Sequence, residues 1–304
     1  MVKKIEKSIP WIIIFTFFIT VFLGIGIVFK ETMASNLNYR IIVQSSNAVP
    51  VVGTVILNGS NNITLTENVT TTIQATTTVS DTNGYNDINS VQGKIYRSGV
   101  GSSCSANDNN CYSNSACATS SCSGNSCIAT CNYNIWFFSD PTDAGDYSSQ
   151  YWEAWIKATD NSNASSSATS TGVEVNTLYA LDLSTTTIDY GSLNSGSTTN
   201  NTNQTVTCTT TGNAAIDLYL YGTDMEKGPI SISVGYQEWS TSTFTYGNGT
   251  ALTSVTSTAV EMDLSKPTNH PSTSSDDLYW GAEVPSATPK GNYSGTTTFE
   301  AKTD

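Results

Sequence analysis

The chain has 304 residues, with 12 Lys and Arg against 25 Asp and Glu, and a single His. A formal charge of −13 repels nucleic acid and anionic lipid, whose phosphates are held by clustered Lys and Arg, so no nucleic-acid partner is expected. Charged residues make up only 12% of the chain; Ser, Thr and Asn replace them, and with 10% aromatics the composition suits wet-surfaced strands rather than disorder.

Lys3, Lys4 and Lys7 precede an apolar run over residues 10–29 that includes Trp11-Ile12-Ile13-Ile14-Phe15. As a helix this run spans about 30 Å, the thickness of a bilayer's hydrocarbon core. The lysines orient everything after Lys30 away from the cytoplasm. A cleaved signal peptide has an apolar region of about 7–15 residues, shorter than this one, which favours an anchor. Thr32-Met33-Ala34-Ser35 keeps cleavage after Ala34 open. Residues 1–34 are therefore read as a signal anchor or signal peptide. Residues 35–304 are expected at the cell surface, bound to the membrane through residues 10–29 or secreted.

Beyond residue 36 the apolar pattern has period two. It covers Ile73, Ala75, Thr77 and Val79, then Cys131, Tyr133, Ile135 and Phe137, then Trp152, Ala154, Ile156 and Ala158. Later come Ile216, Leu218 and Leu220, then Trp280, Ala282 and Val284, then Phe299 and Ala301. Turn signals separate these runs: Asp81-Thr82-Asn83-Gly84, Thr211-Gly212-Asn213, Gly247-Asn248-Gly249 and Pro289-Lys290-Gly291. Short strands with frequent turns read as antiparallel sandwiches.

The first of those turns carries a candidate calcium site. Asp81, Asn83, Tyr85 and Asp87 occupy alternate positions through a Gly-bearing turn, and Asp160 joins from a second loop at the same end. Calcium takes six to eight oxygens, and carboxylates, Asn amides and backbone carbonyls supply them. The spacing and terminal Glu of an EF-hand are absent, and a turn held by its own Asp and Asn side chains is the competing explanation. Asp140, Asp143 and Asp146 form a weaker candidate.

Six of the seven cysteines lie close together: Cys104, Cys111, Cys117, Cys122, Cys127 and Cys131. Their neighbours are Ser, Asn, Gly and Ala, so the segment needs covalent staples, which an exported chain can form. Six cysteines permit 15 pairings. Zinc is the rival reading, through Cys117/Cys122 and Cys127/Cys131, but no CxxC motif exists. Cys208 stands apart and reads as a buried thiol, with intermolecular pairing as the alternative.

Asp143-Ala144-Gly145-Asp146-Tyr147 and Pro289-Lys290-Gly291-Asn292-Tyr293 each place a Tyr after a tight turn, the sequence form of a tyrosine corner. Ser149 and Gly295 stand where the usual Cys would be, so no inter-sheet disulfide is expected there. The reading is all-β: two tandem immunoglobulin-like β-sandwich domains, over 35–176 and 177–304, after an N-terminal transmembrane or signal helix. The cysteine segment 98–131 is expected as an insertion between strands of the first domain.

Catalysis finds little support. His270 is the one imidazole, and no nucleophile elbow accompanies it. Asn58, Asn62, Asn68, Asn163, Asn200, Asn203, Asn248 and Asn292 satisfy N-x-[ST] and are possible glycosylation sites, though an Asn-, Ser- and Thr-rich chain produces matches by composition. Trp136, Trp152, Trp155 and Tyr151 are candidates for stacking on a ligand.

Val79-Ser80-Asp81-Thr82-Asn83-Gly84-Tyr85, Asp140-Pro141-Thr142-Asp143-Ala144-Gly145 and Ala158-Thr159-Asp160-Asn161 together resemble bacterial or archaeal Ig-like surface modules. Ile188-Asp189-Tyr190-Gly191-Ser192-Leu193 and Gly291-Asn292-Tyr293-Ser294-Gly295 are similar to Ig-like repeats of exported envelope proteins. The resemblance implies surface display with adhesion or an envelope role, and supplies no catalytic residues. The expected function is a non-enzymatic cell-surface protein that recognises glycans, an envelope protein or other surfaces, with Ca2+ as its only expected cofactor. The alternative is a structural stalk or envelope component without a specific ligand.

Overall fold

Strands form where the period-two runs lie. In a computed structural model, residues 42–254, 257–271 and 274–303 are described. The apolar run at 10–29 and the Ala34 cleavage site lie outside them. Among the described residues no helix is long and apolar enough to cross a membrane. The chain divides into Met1–Ser45 and Ser46–Asp304, and all described regular structure belongs to the second unit.

The first nine strands are β1 (Val51–Val52), β2 (Ile56–Leu57), β3 (Thr70–Ser80), β4 (Ile88–Arg97), β5 (Cys111–Asn114), β6 (Ala118–Ser123), β7 (Ser126–Trp136), β8 (Trp152–Asp160) and β9 (Ser165–Thr169). One sheet has the order β1-β3-β7-β6, with β2 also on β3; the other runs β5-β4-β8-β9. Strands β3 and β7 pair without interruption from Thr70↔Trp136 to Ser80↔Ser126. Their inward residues Ile73, Ala75, Val79, Ala129 and Ile135 meet Val91, Ile95, Ala154, Ile156 and Ala158 of the facing sheet in one core. Each buried Val or Ile among them contributes about 1.5–3 kcal/mol, and each Ala less. Gly93 sets how closely the sheets approach. A Cβ there would lie 2.5 Å from the Tyr133 phenol oxygen and 2.9 Å from Cys131 Sγ.

The cysteine segment is not an insertion. It supplies β5 to one sheet and β6 with most of β7 to the other. Alternation places Cys127 and Cys131 inside with Ala129, so these cysteines belong to the core pattern and not to a loop. Cys104 pairs with Cys111, Cys117 with Cys131, and Cys122 with Cys127. Cys117 donates its backbone N–H to Val91 of β4 (2.9 Å) while bonding to Cys131 of β7, so this bridge ties the two sheets together. Ser149 and Gly295 leave no cysteine for an inter-sheet disulfide beside either tyrosine corner. The bridge comes from the β5–β6 crossover instead.

The second group comprises β10 (Leu181–Leu183), β11 (Ser197–Thr198), β12 (Gln204–Thr210), β13 (Ile216–Gly222), β14 (Met225–Lys227), β15 (Ile230–Ile232), β16 (Gln237–Ser240), β17 (Thr250–Ala251), β18 (Thr258–Leu264), β19 (Ser275–Val284) and β20 (Thr297–Thr303). A β10-β12-β19-β16-β17 sheet faces a β18-β13-β20 sheet, with β14 and β15 forming a separate hairpin. Leu218, Leu220, Val206, Leu278 and Trp280 build its core, and Phe299 lies against Trp280 with ring centroids 5.6 Å apart. Cys208 on β12 is fully buried and unbridged, and burial pushes its thiol pKa up to about 12. The chain passes between the two groups at residues 176–180. There the buried Asn213 accepts the Leu178 N–H (2.6 Å) and donates to the Asn176 carbonyl (3.1 Å).

Candidate cation site

Strand pairing decides which carboxylates meet. Because β4 and β8 are antiparallel with Ile88 opposite Asp160, the turn before β4 and the end of β8 share one end of the sheet. Asp81, Asp87 and Asp160 offer carboxylate oxygens that all lie within 4.8 Å of one another. Oxygens around one Ca2+ at about 2.3–2.6 Å are separated by at most about twice that distance, so this spacing fits a single coordination sphere.

The local backbone explains the convergence. After β3, Asp81 Oδ1 accepts the Asn83 N–H (2.8 Å), an Asx turn. Gly84 then adopts φ 108° and ψ 156°, a conformation essentially confined to glycine, and a single 3-10 turn over Tyr85–Asp87 brings Asp87 back. The β6–β7 hairpin docks on the same turn: Asp81 N–H donates to the Asn125 carbonyl and Tyr85 N–H to that of Gly124. The Cys122 to Cys127 bridge brackets that hairpin. On β8, Asp160 Oδ1 accepts the N–H groups of Ser162 (2.9 Å) and Ala164 (2.8 Å).

Asp81 is 2% exposed and Asp160 fully buried. Asp81 Oδ2 is buried without a hydrogen-bond partner, and among the described residues no Lys or Arg pairs with any of the three carboxylates. A buried carboxylate without a counter-charge is costly, and a bound cation removes that cost. The Asn47 amide, donating to Asp160 Oδ2 at 2.8 Å, is the foremost cause that holds the Asp160 pKa below the ordinary carboxylate value; the Ala164 and Ser162 N–H groups add to it against burial.

Of the five expected ligands, three therefore meet. Asn83 turns elsewhere: its Oδ1 accepts the Ala48 N–H (2.7 Å) and its Nδ2 donates to the Ser46 carbonyl (3.3 Å). The Tyr85 carbonyl accepts the Ile88 N–H. Asn47 was missed in the sequence, since it stands 113 residues from Asp160 and no motif connects them.

The weaker acidic candidate comes apart. Asp140, 5% exposed, bonds Arg97 Nε (3.0 Å) and Lys266 Nζ (2.8 Å), while Asp143 accepts the N–H and hydroxyl of Thr177. Arg97 closes β4 opposite Trp152, so this buried ion cluster sits at the far end of the same strand pair. Its Lys266 comes from the second sheet group, whose His270 also stacks on Trp136 at 4.6 Å between centroids. Tyr147 lies under the Arg97 guanidinium, 3.7 Å from its ring centre. Tyr293 donates to the Pro289 carbonyl (2.8 Å), the backward bond expected of a tyrosine corner.

Among the stacking candidates, Trp152 is fully buried, its indole N–H donating to the Asp140 carbonyl. Trp155 is half-buried and Tyr151 exposed. Among the sequons, Asn62, Asn68, Asn163, Asn200, Asn248 and Asn292 are exposed, and Asn58 and Asn203 half-buried. Asn203 also accepts the Phe244 N–H.

No family model matches the sequence, and no curated protein does. Among solved structures, a marsupial T cell receptor is similar at 12% identity and a TM-score of 0.21, over 83% of this chain and 70% of that one. The chain's own strand pairing makes it β-rich, built from several antiparallel sheets.

Proposed function

We propose that the chain is a non-enzymatic, exported cell-surface protein whose immunoglobulin-like sandwiches recognise a glycan or another surface. In this reading Ca2+ occupies the Asp81, Asp87 and Asp160 cluster. Three disulfides support an oxidising compartment. The observation that carries recognition is the outward face of β3 and β7. Its cross-strand pairs are Thr72↔Asn134, Gln74↔Asn132, Thr76↔Thr130 and Thr78↔Ile128. On a chain of net charge −13 this face has no ionisable side chain, and Ile128 is 44% exposed. Hydroxyls and amides on a rigid pleat offer donors and acceptors to a neutral polar partner without electrostatic repulsion.

Labelled liposomes bearing the full-length chain, applied to intact cells and isolated envelopes with Ca2+ or chelator, test this. Saturable binding above that of empty liposomes is expected, and Gln74→Glu with Asn132→Asp should abolish it. An absence of saturable binding in both conditions favours a structural envelope component.

A further inference from the structure

We infer that Asn47 is an oxygen ligand of the ion held by Asp81, Asp87 and Asp160, so that cation binding fastens residues 46–48 to this end of the sheets. This rests on the Ca2+ reading of the same cluster. The cluster is more than an acidic patch because Asp81 Oδ2 is buried and has no hydrogen-bond partner. Its side-chain oxygens are nevertheless too few. Calcium takes six to eight, while Asp160 Oδ1 already receives two N–H groups and Asp81 Oδ1 one. Asn83, the amide expected from the turn, is spent on residues 46 and 48.

That use of Asn83 is what brings Asn47 to the site. With Ser46 and Ala48 both tied to one side chain, the residue between them reaches Asp160 Oδ2 at 2.8 Å. In the structure Asn47 acts as a donor to one carboxylate oxygen of Asp160. An amide carries a donor and an acceptor at nearly equivalent positions, and rotation about its terminal bond exchanges them. Once a cation draws Asp160 Oδ2, the turned amide presents Oδ1 to the same ion. A segment that precedes the first strand thereby becomes part of the coordination sphere, and its order depends on the ion.

The test is calorimetric titration of CaCl2 into chelator-stripped, oxidised full-length chain in detergent, with hydrogen exchange read at residues 46–48. Asn47→Ala should bind Ca2+ about tenfold more weakly, and Asn47→Asp more tightly than wild type. Exchange at 46–48 should slow when Ca2+ is added to wild type, and much less in Asn47→Ala. An amide that only donates to Asp160 predicts unchanged or tighter binding by Asn47→Ala, since the hydrogen bond that competes with the ion for Oδ2 is then lost. Unchanged affinity in Asn47→Ala, weaker binding by Asn47→Asp, or exchange indifferent to Ca2+ overturns the inference while leaving the Ca2+ reading intact. Wild type that takes up no Ca2+ sinks the Ca2+ reading itself.

Discussion

The two ends of the β4–β8 pair solve the same electrostatic problem in opposite ways. At the Arg97 end, the buried Asp140 is neutralised by the chain's own cations, Arg97 and Lys266. At the Asp160 end, about 30 Å away along a ten-residue strand, three carboxylates converge with no basic partner among the described residues. The contrast teaches where a permanent joint is built and where charge is left for something else. The Arg97 end joins the two sheet groups through Lys266 and through His270 on Trp136. The Asp160 end gathers the β3–β4 turn, the disulfide-bracketed hairpin and residues 46–48 around three carboxylates that could hold an ion.

The sharpest way to break this comparison is at Asp140. Asp140→Ala strands the buried Arg97 and should cost about 3–5 kcal/mol in urea unfolding, whatever the Ca2+ concentration. Next comes the covalent tie between the sheets. Replacing Cys117 and Cys131 together by Ala opens a bridge across 14 residues and should lower stability by about 3 kcal/mol. The same denaturation experiment should leave tryptophan fluorescence of the second sheet group unchanged until its own transition.

A smaller effect of opposite sign is expected at the acidic end. Asp81→Asn keeps the acceptor for the Asn83 N–H but removes a buried charge. In chelator it should stabilise the protein by on the order of 1 kcal/mol, and the rise in melting temperature on adding Ca2+ should shrink. A destabilised metal-free Asp81→Asn protein would end the parallel drawn between the two ends.

The smallest effect concerns another buried carboxylate, in the second sheet group. Burial alone would raise the Asp217 pKa, but the N–H groups of Asp263 and Met262 and the Lys302 ammonium outweigh it and hold it below the ordinary value. A depressed folded-state pKa adds stability that is complete above the unfolded value of about 3.9 and is lost as pH falls through the lower folded one. Unfolding followed from pH 6 to pH 2 should show this loss in wild type, and a flatter profile in Asp217→Asn.

How far the sequence reached differs from place to place. Alternation marked the inward faces of β3, β7, β8, β13 and β19, since a half-buried strand must put every second side chain in the core. It also placed Cys131 on the same side as Tyr133 and Ile135, although the cysteine segment was read as a loop. The reason is local composition: Ala118 to Ser123 carries no apolar alternation because all six residues of β6 are exposed. An edge strand with nothing to bury leaves no periodic trace.

The sequence by itself determined the β-class, an inward position for Cys208 and the presence of acidic groups at the β3–β4 turn and the end of β8, because each follows from a local pattern of apolar, thiol or turn-forming residues. Only the tertiary structure decided that Asp140 belongs to an ion cluster with Lys266, that Cys117 pairs with Cys131, and that Asn47 rather than Asn83 reaches Asp160. Those partners lie 126, 14 and 113 residues apart. Such meetings are set by strand register and sheet packing, which no short window of sequence contains.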